Sequence, residues 1–378
     1  MALIPFNRPG LTGSELGYMA EAIERGRAAG DGAFTKRCHA LLERELPNAR
    51  VLLTTSCTHA LEMAALLLDI GPGDQVILPS FTFVSTANAF VLRGATPVFA
   101  DVRPDTLNLD ENRVEALVTA RTKAVVAVHY AGVGCEMDGL SRIASRHNLT
   151  VVEDNAHGLF GRYRGQPLGT FGRLAALSFH ETKNVTCGEG GALVINDAEL
   201  YERAEVVREK GTNRSRFFRG EIDKYTWIGV GSSYLPSDIL AAFLCAQLEA
   251  RDRIQARRQV IWQRYESGLA DWASRHDVRL PIVPESCEQP FHLFYLILPS
   301  SAARQSLSSY LNEAEINSVS HYVPLHLSPM GHRLGGRPGD CPITEDVSTR
   351  LLRLPLFIDL PDRDVDRIIE TIRRWSAP

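Results

Sequence analysis

The sequence predicts an α/β protein, with a large domain on a mainly parallel sheet and a smaller α+β domain at the carboxyl end. Three observations carry this. Short β-branched runs alternate with helical segments over the first two-thirds of the chain, the pattern of βαβ units. The character changes after about residue 236, where a long helical stretch gives way to mixed strands and helices. A length of 378 residues fits two or three domains with ample core.

The elements follow in order. Val51-Leu52-Leu53 reads as the first strand, and residues 58–69 as a helix. Residues 75–78 form a short apolar strand, and 85–93 a helix. Strands over 96–100, 124–128 and 150–153 come next, with a helix over 137–148 before the last. The apolar runs 174–179 and 192–195 add two strands with no helix between them. Residues 237–268 read as one long or broken helix, with Asp238 near its start as a cap. A strand over 291–298 and helices over 302–314 and 363–375 complete the smaller domain. The boundary falls within the long helix, giving a large domain over 1–247 and a small one over 248–378.

Composition narrows the function classes. Hydrophobic residues make up 44% and charged residues 23%, which excludes a disordered, collagen-like or coiled-coil chain. The net charge is −4, so no excess of positive charge points to nucleic acid or an acidic membrane surface. Seven dispersed cysteines without a CxxC pair argue against a disulfide framework or a zinc site. The first residues lack a secretory pattern. The uncharged stretch 75–92 is too polar for a membrane span. A cytoplasmic protein without a membrane partner is expected.

Three segments carry chemistry. In Val151-Val152-Glu153-Asp154-Asn155-Ala156-His157-Gly158, Asp154 ends a buried parallel strand, where open α/β sheets bind ligands; an isolated aspartate there also caps turns. In Leu177-Ser178-Phe179-His180-Glu181-Thr182-Lys183-Asn184, followed by Gly188-Glu189-Gly190-Gly191, one lysine sits on a polar loop after a strand. Burial and a cationic neighbour would lower its pKa and make it a nucleophilic, imine-forming amine; a solvated surface lysine is the plain alternative. Thr54-Thr55-Ser56-Cys57-Thr58-His59-Ala60 joins a strand to a helix. Its free amides suit a phosphate, and the same residues suit ordinary capping. Combined, a phosphate cup, an aspartate for a pyridinium nitrogen and a Schiff-base lysine describe a site for pyridoxal phosphate.

On these segments the chain resembles the DegT/DnrJ/EryC1/StrS sugar aminotransferases, over essentially its whole length. It is most similar to the WecE/RffA-like subgroup, which aminates TDP-4-keto-6-deoxyglucose. The similarity is carried by Ser178-Phe179-His180-Glu181-Thr182-Lys183-Asn184 and Glu209-Lys210-Gly211-Thr212-Asn213-Arg214-Ser215. Val128-His129-Tyr130-Ala131-Gly132 and Lys224-Tyr225-Thr226-Trp227 add to it. The resemblance implies fold type I, the aspartate-aminotransferase architecture.

It also implies roles. Lys183 would carry the Schiff base and move the proton, and Asp154 would keep the pyridine nitrogen protonated. Phe83 would stack on the ring, with His157 near its polar edge. Ser56, the Cys57 backbone and Ser178 would hold the phosphate. Ser233 stands where the wider family has an asparagine that reaches the phosphate of the neighbouring subunit, which implies a homodimer with shared sites. The basic and aromatic residues of 208–234, among them Arg214 and Arg219, suit a nucleotide diphosphate and base. Tyr322 lies in His321-Tyr322-Val323-Pro324-Leu325-His326, which resembles a substrate-closing stretch.

The expected reaction moves the amino group of L-glutamate to C4 of a TDP-4-keto-6-deoxyhexose, with pyridoxamine phosphate formed in between. Amination at C3 is an alternative. The C3 dehydrase branch of the family has histidine at the Schiff-base position, and Lys183 argues against it. A non-catalytic pyridoxal-phosphate sensor is a further alternative, with no basic recognition helix visible in this chain.

Overall fold

The computed structural model describes residues 2–26 and 28–376. Its strands are β1 (Arg50–Thr54), β2 (Gln75–Pro79), β3 (Thr96–Ala100), β4 (Thr122–Val128), β5 (Thr150–Asp154), β6 (Arg162–Tyr163), β7 (Gln166–Pro167), β8 (Leu174–Ser178), β9 (Gly191–Ile195), β10 (Cys287–Glu288), β11 (Phe294–Ile297) and β12 (Leu351–Leu354). Seven of them form the main sheet in the order β1-β9-β8-β5-β4-β2-β3. β9 runs antiparallel to both neighbours, and every other pair in that sheet is parallel. The run from β8 to β9 needs no crossover helix because the two strands are antiparallel neighbours.

Alternation along each strand sends side chains to two cores. Leu52, Val76, Leu78, Val126, Val152, Ala176 and Leu193 pack on one face, against the helix Cys57–Leu67. Val51, Leu53, Ala175, Leu177 and Val194 pack on the other, together with the helices Ala33–Glu45 and Asp238–Glu249. Ile77, Val125 and Ala127 continue that second face under the helix Met137–His147. Both faces are covered, so the strands read as unbroken apolar runs.

The stretch after residue 236 is a broken helix. Ala250 (φ −91°, ψ 10°) separates Asp238–Glu249 from Arg251–Arg275. The second half packs with β11, β12 and the helices Ser301–Glu313 and Asp362–Arg374 around Trp262, Tyr265, Trp272, Phe294 and Ile368. Two expectations need correction. Ser237, not Asp238, caps the broken helix, its hydroxyl accepting from the Leu240 amide at 3.4 Å. Asp238 is buried and caps a different helix, accepting from the Thr35 amide at 2.8 Å and the Thr35 hydroxyl at 2.7 Å. The strand expected from 291 begins only at Phe294, because Phe291 takes φ 55°, which no strand accommodates.

Topology sets the site. The carboxyl ends of β4, β5 and β8 lie side by side, with Val128 opposite Asp154 and Asp154 opposite Ala176. Across β9, Gly191 pairs with both Thr54 and Ser178. The ends of β1, β5 and β8 therefore open on one edge of the sheet, where such sheets bind ligands.

Candidate active site

A cavity of about 430 Å³ opens at that edge. It brings together Ser56, Cys57, Phe83, Asp154, His157, Ser178, Lys183 and Tyr322, which the sequence had marked, with Phe6, His292, His321 and Arg353.

The Ser56 segment is built as a helix start. The Ser56 hydroxyl accepts from the His59 amide at 3.1 Å, and its carbonyl accepts from the Ala60 amide at 3.2 Å. The amides of Cys57 and Thr58 lie outside these bonds, and both residues line the cavity. Capping and anion binding are thus compatible here. A Cβ on Gly191 would run into the Ser56–Cys57 peptide, so only glycine lets β9 approach the turn this closely. Burial pushes the Cys57 thiol well up, which keeps it protonated.

Glu153 and Asp154 end β5 and point to opposite faces. Glu153 is spent on structure: it pairs with His129 Nε2 at 2.9 Å and accepts from the amides of Gly169 (2.7 Å), Phe171 (2.8 Å) and Gly172 (2.8 Å). Asp154 faces the cavity. Its Oδ2 accepts from the Thr86 hydroxyl at 2.7 Å and its Oδ1 from the Ala156 amide at 3.2 Å. Burial raises the Asp154 pKa, while these two donors and the Lys183 charge oppose the rise. A cationic ring N–H brought beside it would offset that burial and hold it ionised.

Lys183 sits on a loop folded back on itself. The Phe179 amide donates to the Gly190 carbonyl at 2.8 Å, the Glu181 amide to Gly188 at 2.8 Å and the Lys183 amide to His180 at 2.9 Å. Gly188 makes the return turn at φ 82°. Burial lowers the Lys183 pKa to about 8, the Arg353 charge adding to it and Cys57 and Asp154 opposing. This amine is neutral in a useful fraction near physiological pH, unlike a surface lysine.

His157 lies 4.4 Å from His292 and 6.3 Å from His321, ring centroid to centroid. Burial holds its pKa well down, and its Nδ1 has no partner. Phe83 stays 59% exposed at the start of the helix Val84–Val91. The residues fit pyridoxal phosphate: a serine-lined helix start for the phosphate, a buried carboxylate for the ring nitrogen, an orphaned polar nitrogen and a depressed lysine amine.

Three marked residues lie elsewhere in the chain. Ser233 is exposed and bridges to Glu209. Arg214 pairs with Glu209 at 3.0 Å and lies over the Phe218 ring. Arg219 pairs with Glu205 at 2.8 Å and Glu221 at 2.6 Å. None of the three lines the cavity formed by this one chain, and both arginines already hold carboxylates. The sequence reading missed His292, Thr86 and Arg353. For Arg353 there was a signal, a single charge inside the apolar run Leu351-Leu352-Arg353-Leu354; Thr86 and His292 left none.

Comparison with known proteins shows the family and the fold. The family model of the DegT/DnrJ/EryC1/StrS aminotransferase family matches residues 11–373. The spore coat polysaccharide biosynthesis protein SpsC of Bacillus subtilis is 33% identical, covering 98% of this chain and 96% of its own. DesV from S. venezuelae superposes with a TM-score of 0.89 at 32% identity over 99% of both chains. Spr1654 from Streptococcus pneumoniae, solved in PLP and PMP forms, superposes with a TM-score of 0.90 at 28% identity over 98% of this chain. The chain therefore belongs to the DegT/DnrJ/EryC1/StrS aminotransferase family, as a pyridoxal-phosphate-dependent sugar aminotransferase of fold type I.

Proposed function

We propose that the protein transfers the amino group of L-glutamate to C4 of a TDP-4-keto-6-deoxyhexose, giving 2-oxoglutarate and a TDP-4-amino-4,6-dideoxyhexose. The observation that carries amino transfer is Lys183, a buried amine held near pKa 8 in one cavity with Asp154. The TDP-sugar and the C4 position rest on the likeness of residues 178–184 and 209–215 to the WecE-like subgroup. SpsC, a polysaccharide-biosynthesis protein, supports a carbohydrate acceptor.

Bound pyridoxal phosphate supplies an electron-accepting ring. The protein's part is to hold it and to move protons. Ser56, the Cys57 amide and Ser178 would hold the phosphate, Phe83 would stack on the ring, and His157 would lie near its polar edge. Asp154, ionised, keeps the ring nitrogen protonated. Lys183 Nζ takes the proton from the donor's α-carbon, and in the second half-reaction returns a proton to the sugar carbon. The cavity walls, among them Leu293, Leu354 and Leu356, limit competing water.

The proposal includes a cytoplasmic homodimer in which Ser233 reaches the phosphate of the neighbouring subunit. Arg214 and Arg219 exchange their carboxylate partners for the nucleotide diphosphate, and Tyr322 meets the substrate. The chain then divides at residues 247–248, beside the helix break. Mixing Lys183→Ala with Arg219→Ala should restore some activity in heterodimers if sites are shared.

The experiment offers the enzyme the TDP-4-keto-6-deoxy sugar, the corresponding 3-keto sugar and a free 2-oxo acid at matched concentrations, with glutamate as donor. The 4-keto sugar should react best. A preference for the 3-keto sugar or the simple oxo acid would overturn the acceptor assignment and leave the amino-transfer chemistry standing.

A further inference from the structure

The Pro290 carbonyl holds two side-chain amides at once. Asn184 Nδ2 donates to it at 2.6 Å and Gln255 Nε2 at 3.1 Å. A carbonyl only accepts, so both amides are fixed with their nitrogens toward it. Gln255 Oε1 then accepts from Asn184 Nδ2 at 3.0 Å, which leaves Asn184 Oδ1 for His292 Nδ1 at 2.9 Å. That ring nitrogen must be the donor. Neutral His292 therefore carries its proton on Nδ1 and a lone pair on Nε2.

Arg258 lies three residues after Gln255, on the same face of the helix Arg251–Arg275. Its Nε donates to the Phe291 carbonyl at 3.0 Å and its Nη2 to the His292 carbonyl. It is buried, and burial alone lowers its pKa to about 9, so it stays charged at neutral pH. Phe291, between Pro290 and His292, takes φ 55°, a strained conformation for so large a side chain. A buried charge and a strained residue on one short segment are costs that packing alone does not require. Their effect is to turn His292 into the cavity, its ring centre 4.4 Å from that of His157.

We propose that Arg258 and Asn184 are positioning residues for Lys183, tying its loop to the long helix and holding His292 in its cavity as a neutral ring with the proton on Nδ1. This rests on the amino-transfer reading above. Burial opposes a second proton on His292, and the charges of Lys183, Arg258, Arg353 and His321 oppose it further. Asp154, on the same cavity, is occupied by Thr86 and Ala156. The imidazole thus does not compete for the proton that Lys183 moves, and it adds no charge beside that amine.

The test reads the ring directly. The full-length enzyme loaded with pyridoxal phosphate carries isotope-labelled histidine, and nitrogen NMR shifts report which ring nitrogen holds the proton. The signal absent from His292→Gln identifies His292. In wild type the proton should sit on Nδ1 alone, from about pH 6 to pH 9. Arg258→Lys, which keeps the charge and loses the fork, should give a mixture of tautomers. It should also lower kcat about tenfold, with the glutamate concentration for half-maximal rate within about twofold of wild type. A proton on Nε2, or a charged ring at pH 7, would overturn the inference, as would an Arg258→Lys enzyme unchanged in tautomer or in kcat. The wild-type signal decides the matter if Arg258→Lys does not fold. A wild-type enzyme inert to glutamate would overturn the donor reading, and the NMR result would still decide how His292 is held.

Discussion

The Thr86 hydroxyl donates to Asp154 Oδ2 at 2.7 Å, and Thr82 Oγ1 lies 2.8 Å from Thr86 Oγ1. Because Thr86 gives its only proton to the carboxylate, Thr82 must be the donor between the two hydroxyls. A directed pair of hydrogen bonds therefore runs from the end of the β2 loop to the carboxylate, favouring its ionised form and holding its orientation together with the Ala156 amide on Oδ1.

Removing that donor should weaken the ring contact without removing the charge. Thr86→Val is expected to lower kcat about tenfold, the scale of one hydrogen bond to a charged group. Asp154→Asn should lower it roughly 100- to 1,000-fold, since a neutral amide cannot hold a pyridinium proton. Steady-state rates at saturating cofactor check both. Equal losses in the two variants would show that the hydroxyl, not the charge, is what matters.

Lys183 sets a pH signature on the apoprotein. Its pKa falls from the ordinary 10.5 to about 8 through burial, so the unfolded chain binds the proton more tightly. The cost of charging the buried amine is therefore fully present below pH 8. It is relieved as pH rises from about 8 to 10.5, and is then gone. A neutral Lys183→Met apoprotein should be more stable than wild type at pH 7, by an amount on the order of 3 kcal/mol. That gap should close over the same window. Denaturant unfolding of both at pH 7 and pH 10 measures it, and a gap independent of pH would contradict the shifted amine.

What could be read from the sequence divides along chain distance. Lys183 and Asp154 could be singled out because Asp154 ends a strand and Lys183 sits on the loop that follows one, each in a local pattern whose neighbours are sequential. The parallel sheet was legible because strands buried on both faces leave unbroken apolar runs. Asp238 was misread because the helix it caps begins at Ala33, about 200 residues earlier. Arg214 and Arg219 were read as suited to a nucleotide diphosphate; in the folded chain Glu205, Glu209 and Glu221 hold them, and composition cannot say which charges meet. Arg353 and His292 reach the cavity from β12 and the approach to β11, elements brought there by the fold alone.

Gly191 tests the packing beneath the cofactor phosphate. Gly191→Ala would force its Cβ into the Ser56–Cys57 peptide. A loss of about 1–3 kcal/mol in stability is expected from such overpacking. Pyridoxal phosphate should also dissociate faster, because the turn that presents Ser56 and Cys57 must shift. Chemical denaturation and the rate of cofactor release measure the two effects. Normal cofactor retention would show that the phosphate does not depend on this turn.

The account stands most directly on where the cofactor attaches. Reducing the pyridoxal-phosphate-loaded enzyme with borohydride fixes any Schiff base to its lysine, and peptide mass spectrometry then identifies the residue. The label should fall on the peptide containing Lys183 and be absent once the enzyme has been converted by glutamate before reduction. A label on another lysine, or none at all, would contradict the central claim that Lys183 is the reactive amine of this cavity.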